Sequence, residues 1–224
     1  MYSYISWLFE SFLGLLGLKS KSGHVLFLGL DNAGKSTLLY LIQTGKFTAT
    51  KPTMHCDKNE VRVKTGPGMR DVLSLTTFDL GGHVQARRVW RDYFFNVDAV
   101  IFLIDTSDHK RFHESKRELK VRRRIREYLY NPTNMPSFLQ GVMADELLQD
   151  VPIAILANKV DLPGAPGEVD LVHALGIYDG LTGKSPADSR FGREGVRPLE
   201  LFMTSLKRKF GYGDAFRWIG QFLK

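Results

Sequence analysis

Gly29-Leu30-Asp31-Asn32-Ala33-Gly34-Lys35-Ser36 stands between two apolar runs of different character. Before it, His24-Val25-Leu26-Phe27-Leu28 reads as a buried strand; after it, Thr37-Leu38-Leu39-Tyr40-Leu41-Ile42 opens as a helix. In that setting the pattern G-x-x-x-x-G-K-S predicts a phosphate-binding loop. The glycines let backbone N–H groups turn inward around phosphate oxygens, and the helix N-terminus adds its positive dipole end. The expected anion site therefore runs through Asp31, Asn32, Ala33, Gly34, Lys35, Ser36 and Thr37. Lys35 brings a full positive charge, and Ser36 has the hydroxyl that suits Mg²⁺. A nucleoside triphosphate is the natural ligand.

Three further strand ends fall in place behind this loop. Val61 to Val63 and Val72 to Phe78 read as two strands joined through Thr65-Gly66-Pro67-Gly68, a hairpin. The second ends in Asp79-Leu80-Gly81-Gly82-His83. Asp79 there suits a Mg²⁺-bound water, and the Gly82 N–H can approach a terminal phosphate with no side chain in the way. Ala99 to Ile104, ending at Asp105, and Pro152 to Ala157 read as central parallel strands. The latter runs into Asn158-Lys159-Val160-Asp161. An aspartate at that point accepts from the N1 and N2 donors of guanine, the asparagine meets O6 and N7, and the lysine stem covers the ring. Adenine offers no such paired donors, so the expected base is guanine. Ser205 and Leu206, after a possible last strand, would bring backbone amides to the other side of the base. Upstream, Thr53 in the polar stretch Thr48 to His55 is a candidate metal-binding hydroxyl.

The 224 residues and 43% apolar content suit one domain with a normal core. A net charge of +7 fits an acidic partner, whether nucleic acid, an anionic membrane or only the nucleotide itself, and equally a generally basic soluble surface. The single cysteine, Cys56, excludes an intramolecular disulfide and points to a reducing compartment. Residues 1–18 contain one charge, Glu10. Ser3, Ser6, Glu10, Gly14 and Gly17 would form one narrow stripe on a helix, opposite a broad apolar face. Such a helix rises about 25 Å, short of the roughly 30 Å hydrocarbon core, and would lie in a membrane interface. Packing on the core, or in an internal groove until released, are the alternatives. A signal peptide fits less well, because no basic residue precedes the apolar run. Lys19 to Gly23 reads as a short basic linker.

The chain resembles the Ras-like small GTPases, and within them the Arf/Sar branch. The resemblance is carried by residues 29–36, by Pro52-Thr53-Met54-His55, by the run from Thr77 to Trp90, by Asn158 to Asp161 and by Gly211 to Trp218. The run from His83 to Trp90 is the most specific part, since Arf proteins usually carry glutamine directly after the paired glycines. The Sar type builds the COPII coat on endoplasmic reticulum membranes. What it implies is an α/β P-loop NTPase fold with a mostly parallel six-stranded sheet and helices on both faces. Residues 1–22 would be an amphipathic membrane segment and linker, and residues 23–224 the GTPase domain. Thr53 would join Ser36 and Asp79 at Mg²⁺ when the γ-phosphate is present, and His83 would orient the attacking water.

The same resemblance implies slow intrinsic hydrolysis of GTP to GDP, accelerated by a coat GTPase-activating subunit. It also implies an exchange factor in the endoplasmic reticulum membrane, COPII inner-layer subunits as partners and an anionic membrane surface met by residues 1–18. Nucleic acid is not among the expected partners. The expected location is the cytoplasmic face of the endoplasmic reticulum and its exit sites, with a soluble GDP form and the Golgi as a further membrane. Tyr2 stands where myristoylation would need glycine, and no prenylation cysteine stands near the C-terminus. Cys56-Asp57 departs from the Pro-Thr usual after the switch I histidine. About twenty residues near 121–141 look inserted, beginning Val121-Arg122-Arg123-Arg124-Ile125-Arg126 and passing Pro132 and Pro136. That basic run reads as a lipid- or partner-binding surface or as a solvated extension of the preceding helix, and Ser137 to Gln149 resumes helical spacing. An Arf-like GTPase of another membrane, or a GTP-dependent scaffold with negligible hydrolysis, are the alternatives to the Sar reading.

Overall fold

A computed structural model describes residues 21–50, 53, 56–64, 72–119, 142–185, 188 and 195–223. Six strands form one sheet in the order β2-β3-β1-β4-β5-β6. They are β1 (Lys21–Gly29), β2 (Asp57–Lys64), β3 (Val72–Asp79), β4 (Ala99–Asp105), β5 (Ile153–Asn158) and β6 (Leu199–Met203). The β2–β3 hairpin is antiparallel, as its sequence predicts, and the four remaining pairings are parallel. Among the described residues the α-helices are α1 (Lys35–Thr44), α2 (Val84–Arg87), α3 (Phe112–Leu119), α4 (Glu168–Leu175) and α5 (Tyr212–Ile219).

Strands β4 and β5 are continuous apolar runs because both faces of the sheet are covered. One apolar cluster lies between the sheet and α1 and α5, including Phe27, Leu38, Phe216 and Trp218. The other holds Leu28, Leu80, Trp90 and Phe102, with Leu119 of α3 and Leu171 of α4. Each such fully buried side chain stabilises the fold by about 1.5–3 kcal/mol. After β1 the chain pairs β3 on one side and β4 on the other, so the loop following β1 sits where the strand order diverges. Open α/β sheets bind ligands at that point, beyond the carboxyl ends of the strands.

Two local expectations are corrected. Lys21 to Gly23 is not linker but the start of β1, where backbone pairing with Leu73 to Leu75 outweighs polar composition. The described part of the 137–149 stretch holds two short 3-10 turns, Val142–Ala144 and Glu146–Leu148, rather than an α-helix. Asp145 between them is extended, and its buried carboxylate accepts from Leu147 N, so the helical run is interrupted by its own cap. Residues 1–18, 65–68 and 121–141, together with Pro52, Met54 and His55, lie outside the described residues.

Candidate functional site

Gly29 ends β1 with φ 131°, and Asn32 and Gly34 follow at 63° and 107°. A Cβ on Gly29 would stand 2.2 Å from the Leu103 carbonyl oxygen of β4, which is why glycine is needed at the turn. The loop delivers Lys35 to the first turn of α1, where it is buried and its Nζ donates to the Gly29 and Leu30 carbonyls at 2.9 and 3.0 Å. Burial pushes its pKa down to about 8. One of the three ammonium hydrogens remains for a ligand anion. The Asp31 carboxylate turns outward to Arg111 at 2.8 Å, and that bond holds its pKa below the usual carboxylate range.

Beside Lys35, three oxygen side chains from three separate elements converge. Ser36 Oγ lies 2.5 Å from Thr53 Oγ1 and 2.6 Å from Asp79 Oδ2, and Thr53 Oγ1 donates to the same carboxylate at 3.2 Å. Burial raises the pKa of Asp79, and its Oδ1 is buried without a hydrogen-bond partner. Two hydroxyls and a carboxylate with a free buried oxygen are a hard donor set that fits Mg²⁺ completed by waters and phosphate oxygens. Among the described residues no group of three or more His, Cys, Asp or Glu is placed to hold a metal ion. The hydroxyl of Thr37 points instead to Thr50, at 3.2 Å.

Gly82 rests directly on the phosphate loop, and a Cβ there would come within 2.2 Å of Asp31 N. His83 caps α2, accepting at Nδ1 from Ala86 N at 3.3 Å, while its Nε2 is buried with no partner. Acceptance at Nδ1 assigns the hydrogen of the neutral ring to Nε2, which makes that nitrogen a donor.

A second cluster forms beyond β5. Asn158 Nδ2 donates to Ala33 O at 2.9 Å, and its Oδ1 accepts from Leu206 N at 3.2 Å. Its amide therefore braces two loops, leaving one N–H for a base instead of the paired O6 and N7 contacts that the sequence suggests. Lys159, at φ 70°, has its Nζ fixed to Asp105 at 2.6 Å. Ser205 Oγ donates to Asp161 Oδ1 at 2.6 Å and holds that carboxyl's pKa down, which keeps it an acceptor. The structure thus brings Ser36, Thr53 and Asp79 together at the phosphate loop and sets Gly82, followed by His83, against Asp31; Asn158 ties Ala33 to Leu206, Asp161 is held by Ser205, and Lys159 by Asp105. Sequence reasoning missed the brace from Asp105, and its only signal was a carboxylate ending the apolar run that pairs with Asn158.

The sequence matches the ADP-ribosylation factor (Arf) family over residues 9–128 and 133–223. The chain belongs to the Arf family of small GTPases. Among Arf-family relatives, the small COPII coat GTPase SAR1 of Giardia intestinalis is 36% identical over 96% of this chain and 97% of its own. The protein of the same name in Nicotiana tabacum is 35% identical over 98% of each. ADP-ribosylation factor-like protein 1 of Caenorhabditis elegans is 30% identical over 95% of this chain and 94% of its own. The Arl6 small GTPase of Trypanosoma brucei, solved with the nucleotide analogue GppNp, shares the fold at TM-score 0.63 and 24% identity, covering 89% of this chain and 96% of that one. Arf-family members bind GTP or GDP, generally with Mg²⁺, and hydrolyse GTP.

Proposed function

We propose that the chain is a Sar-type switch, a GTPase that attaches to the endoplasmic reticulum membrane in its GTP form and recruits a COPII coat. The convergence of Ser36, Thr53 and Asp79 beside Lys35 carries the nucleotide reading, because oxygen side chains from three separate parts of the chain meet within 2.5–3.2 Å at the end of a phosphate-loop sequence. Support for the Sar type comes from His83 after the paired glycines and from SAR1 relatives at 35–36% identity.

In this reading the amides of Asp31 to Lys35 and the Lys35 ammonium bind the phosphates. Ser36, Thr53 and Asp79 would hold Mg²⁺, which would supply positive charge against that of the phosphates. Asp161 selects guanine through its ionised carboxylate, Asn158 and Leu206 frame the base, and the Lys159 stem covers it. His83, an Nε2–H donor, positions the attacking water by hydrogen bonding; it does not take the proton. Turnover is then slow until a coat GTPase-activating subunit adds charge, and an exchange factor of the endoplasmic reticulum membrane reloads GTP. Among the described residues no helix is long and apolar enough to cross a membrane, and residues 1–18 supply an interfacial anchor in this proposal.

Liposome flotation of the full chain and of a variant lacking residues 1–18, each with GDP or a non-hydrolysable GTP analogue, tests the switch. Flotation of the full chain with the analogue alone supports it. Flotation that ignores nucleotide or survives the deletion overturns it. The factor-like protein 1 relatives, at 30–32% identity, favour a second reading as a regulator of another membrane. Recruitment of COPII inner-layer subunits to the same liposomes separates the two.

A further inference from the structure

The catalytic loop is held from behind by two buried side chains of the segment that follows it. Trp90 Nε1 donates to the Gly81 carbonyl at 3.0 Å. Arg87 Nε donates to the Gly82 carbonyl at 2.8 Å. A trans peptide is planar, with its C=O and N–H pointing to opposite sides. Fixing the Gly81 carbonyl therefore aims the N–H of Gly82, and fixing the Gly82 carbonyl aims the N–H of His83.

Arg87 is itself immobilised. Its side chain is 6% exposed, and its two terminal nitrogens reach Glu114 at 2.6 Å and Glu118 at 2.7 Å on α3. The other Glu114 oxygen accepts from Arg111 Nε at 2.7 Å, and Arg111 reaches Asp31 of the phosphate loop at 2.8 Å. A guanidinium fork with three fixed acceptors has no rotational freedom left. Gly81 and Gly82 lack side chains that could orient their own peptides, since Cβ atoms there would strike Thr53 O and Asp31 N.

We propose that Arg87 and Trp90 are positioning residues for hydrolysis, aiming the N–H groups of Gly82 and His83 at the terminal phosphoryl group. This deepens the GTPase reading and rests on it. Neither side chain meets the nucleotide, and both act only on peptides that sense the third phosphate. Their loss is therefore felt by GTP and spared by GDP. A merely structural role would weaken both nucleotides together.

Trp90→Phe keeps the ring and removes the indole N–H, and Arg87→Lys keeps the charge but cannot reach three acceptors. The neighbouring, exposed Arg88→Met serves as the charge control. Affinities for GDP and for a non-hydrolysable GTP analogue, with single-turnover GTP hydrolysis, are measured for each purified full chain. Each positioning variant is expected to lose about tenfold in the ratio of analogue to GDP affinity and at least as much in hydrolysis rate, with GDP affinity unchanged. The control is expected to match the parent. Where Arg87→Lys fails to fold, Trp90→Phe alone decides, because it leaves every ion pair intact. Variants equal to a competent parent, or with GDP and analogue affinities falling in parallel, overturn the inference alone. A parent that does not bind guanine nucleotides overturns the GTPase reading and the inference with it.

Discussion

Asn158 donates from Nδ2 to the carbonyl of Ala33, joining the end of β5 to a phosphate loop 125 residues earlier in the chain. The same side chain accepts from Leu206 N, so one amide ties together the loops on which phosphates and base would rest. Asn158→Ala leaves two buried backbone groups unpaired, at about 1–3 kcal/mol each. Denaturant unfolding should register that loss, and the affinities for GDP and GTP should fall in parallel because neither loop contact distinguishes them. A drop confined to GTP would contradict this.

Burial holds the Lys35 pKa near 8 against an ordinary 10.5. Phosphate charges beside the ammonium raise it on binding, so the bound state keeps a proton that the free state loses. Nucleotide affinity is then flat below pH 8 and falls above it, by up to tenfold per pH unit until the bound-state pKa is reached. Calorimetry in two buffers of different ionisation heat should find proton uptake near pH 9 and none at pH 7.

Ser205 keeps Asp161 ionised and one of its oxygens fixed at 2.6 Å. Asp161→Asn replaces an acceptor by a donor, which suits the C2 carbonyl of xanthine and opposes the C2 amine of guanine. Competition binding should show guanine nucleotides weakened by about tenfold to a hundredfold and xanthine nucleotides strengthened. Unchanged preference would remove Asp161 from the base site.

Gly29→Ala asks a residue with a side chain to adopt φ 131° and places its Cβ 2.2 Å from the backbone of a central strand that cannot yield. A destabilisation above about 3 kcal/mol is expected by thermal or denaturant unfolding. Gly45→Ala, at φ 69° with nothing near its Cβ, should cost about 1–2 kcal/mol.

Features built from a few adjacent residues were legible in the sequence. The phosphate loop and the Asp79 and Asn158 strand ends announce themselves because backbone geometry restricts which residues fit. Contacts between distant side chains were not. Arg87 reads as one more basic residue in a polar loop, and only the fold brings it to Glu114 and Glu118, 27 and 31 positions on. Asn158 was legible as a site residue but not as a brace, since Ala33 and Leu206 present backbone atoms that any sequence would supply. The 142–149 turns escaped notice because helical spacing continues through Asp145 while its carboxylate interrupts the helix.

Leu119 and Val142 are both seated in the apolar cluster on the sheet face away from α1 and α5. Both are fixed supports, and a flexible insert placed between two such supports would add only about 0.6 kcal/mol of closure cost for each doubling of its length. For anyone building a sensor from this molecule the junction is a socket. A fluorescent protein grafted there would sit at the end of α3, whose Glu114 and Glu118 hold the arginine that donates to the Gly82 carbonyl, so a rearrangement of that loop would reach it through a single helix.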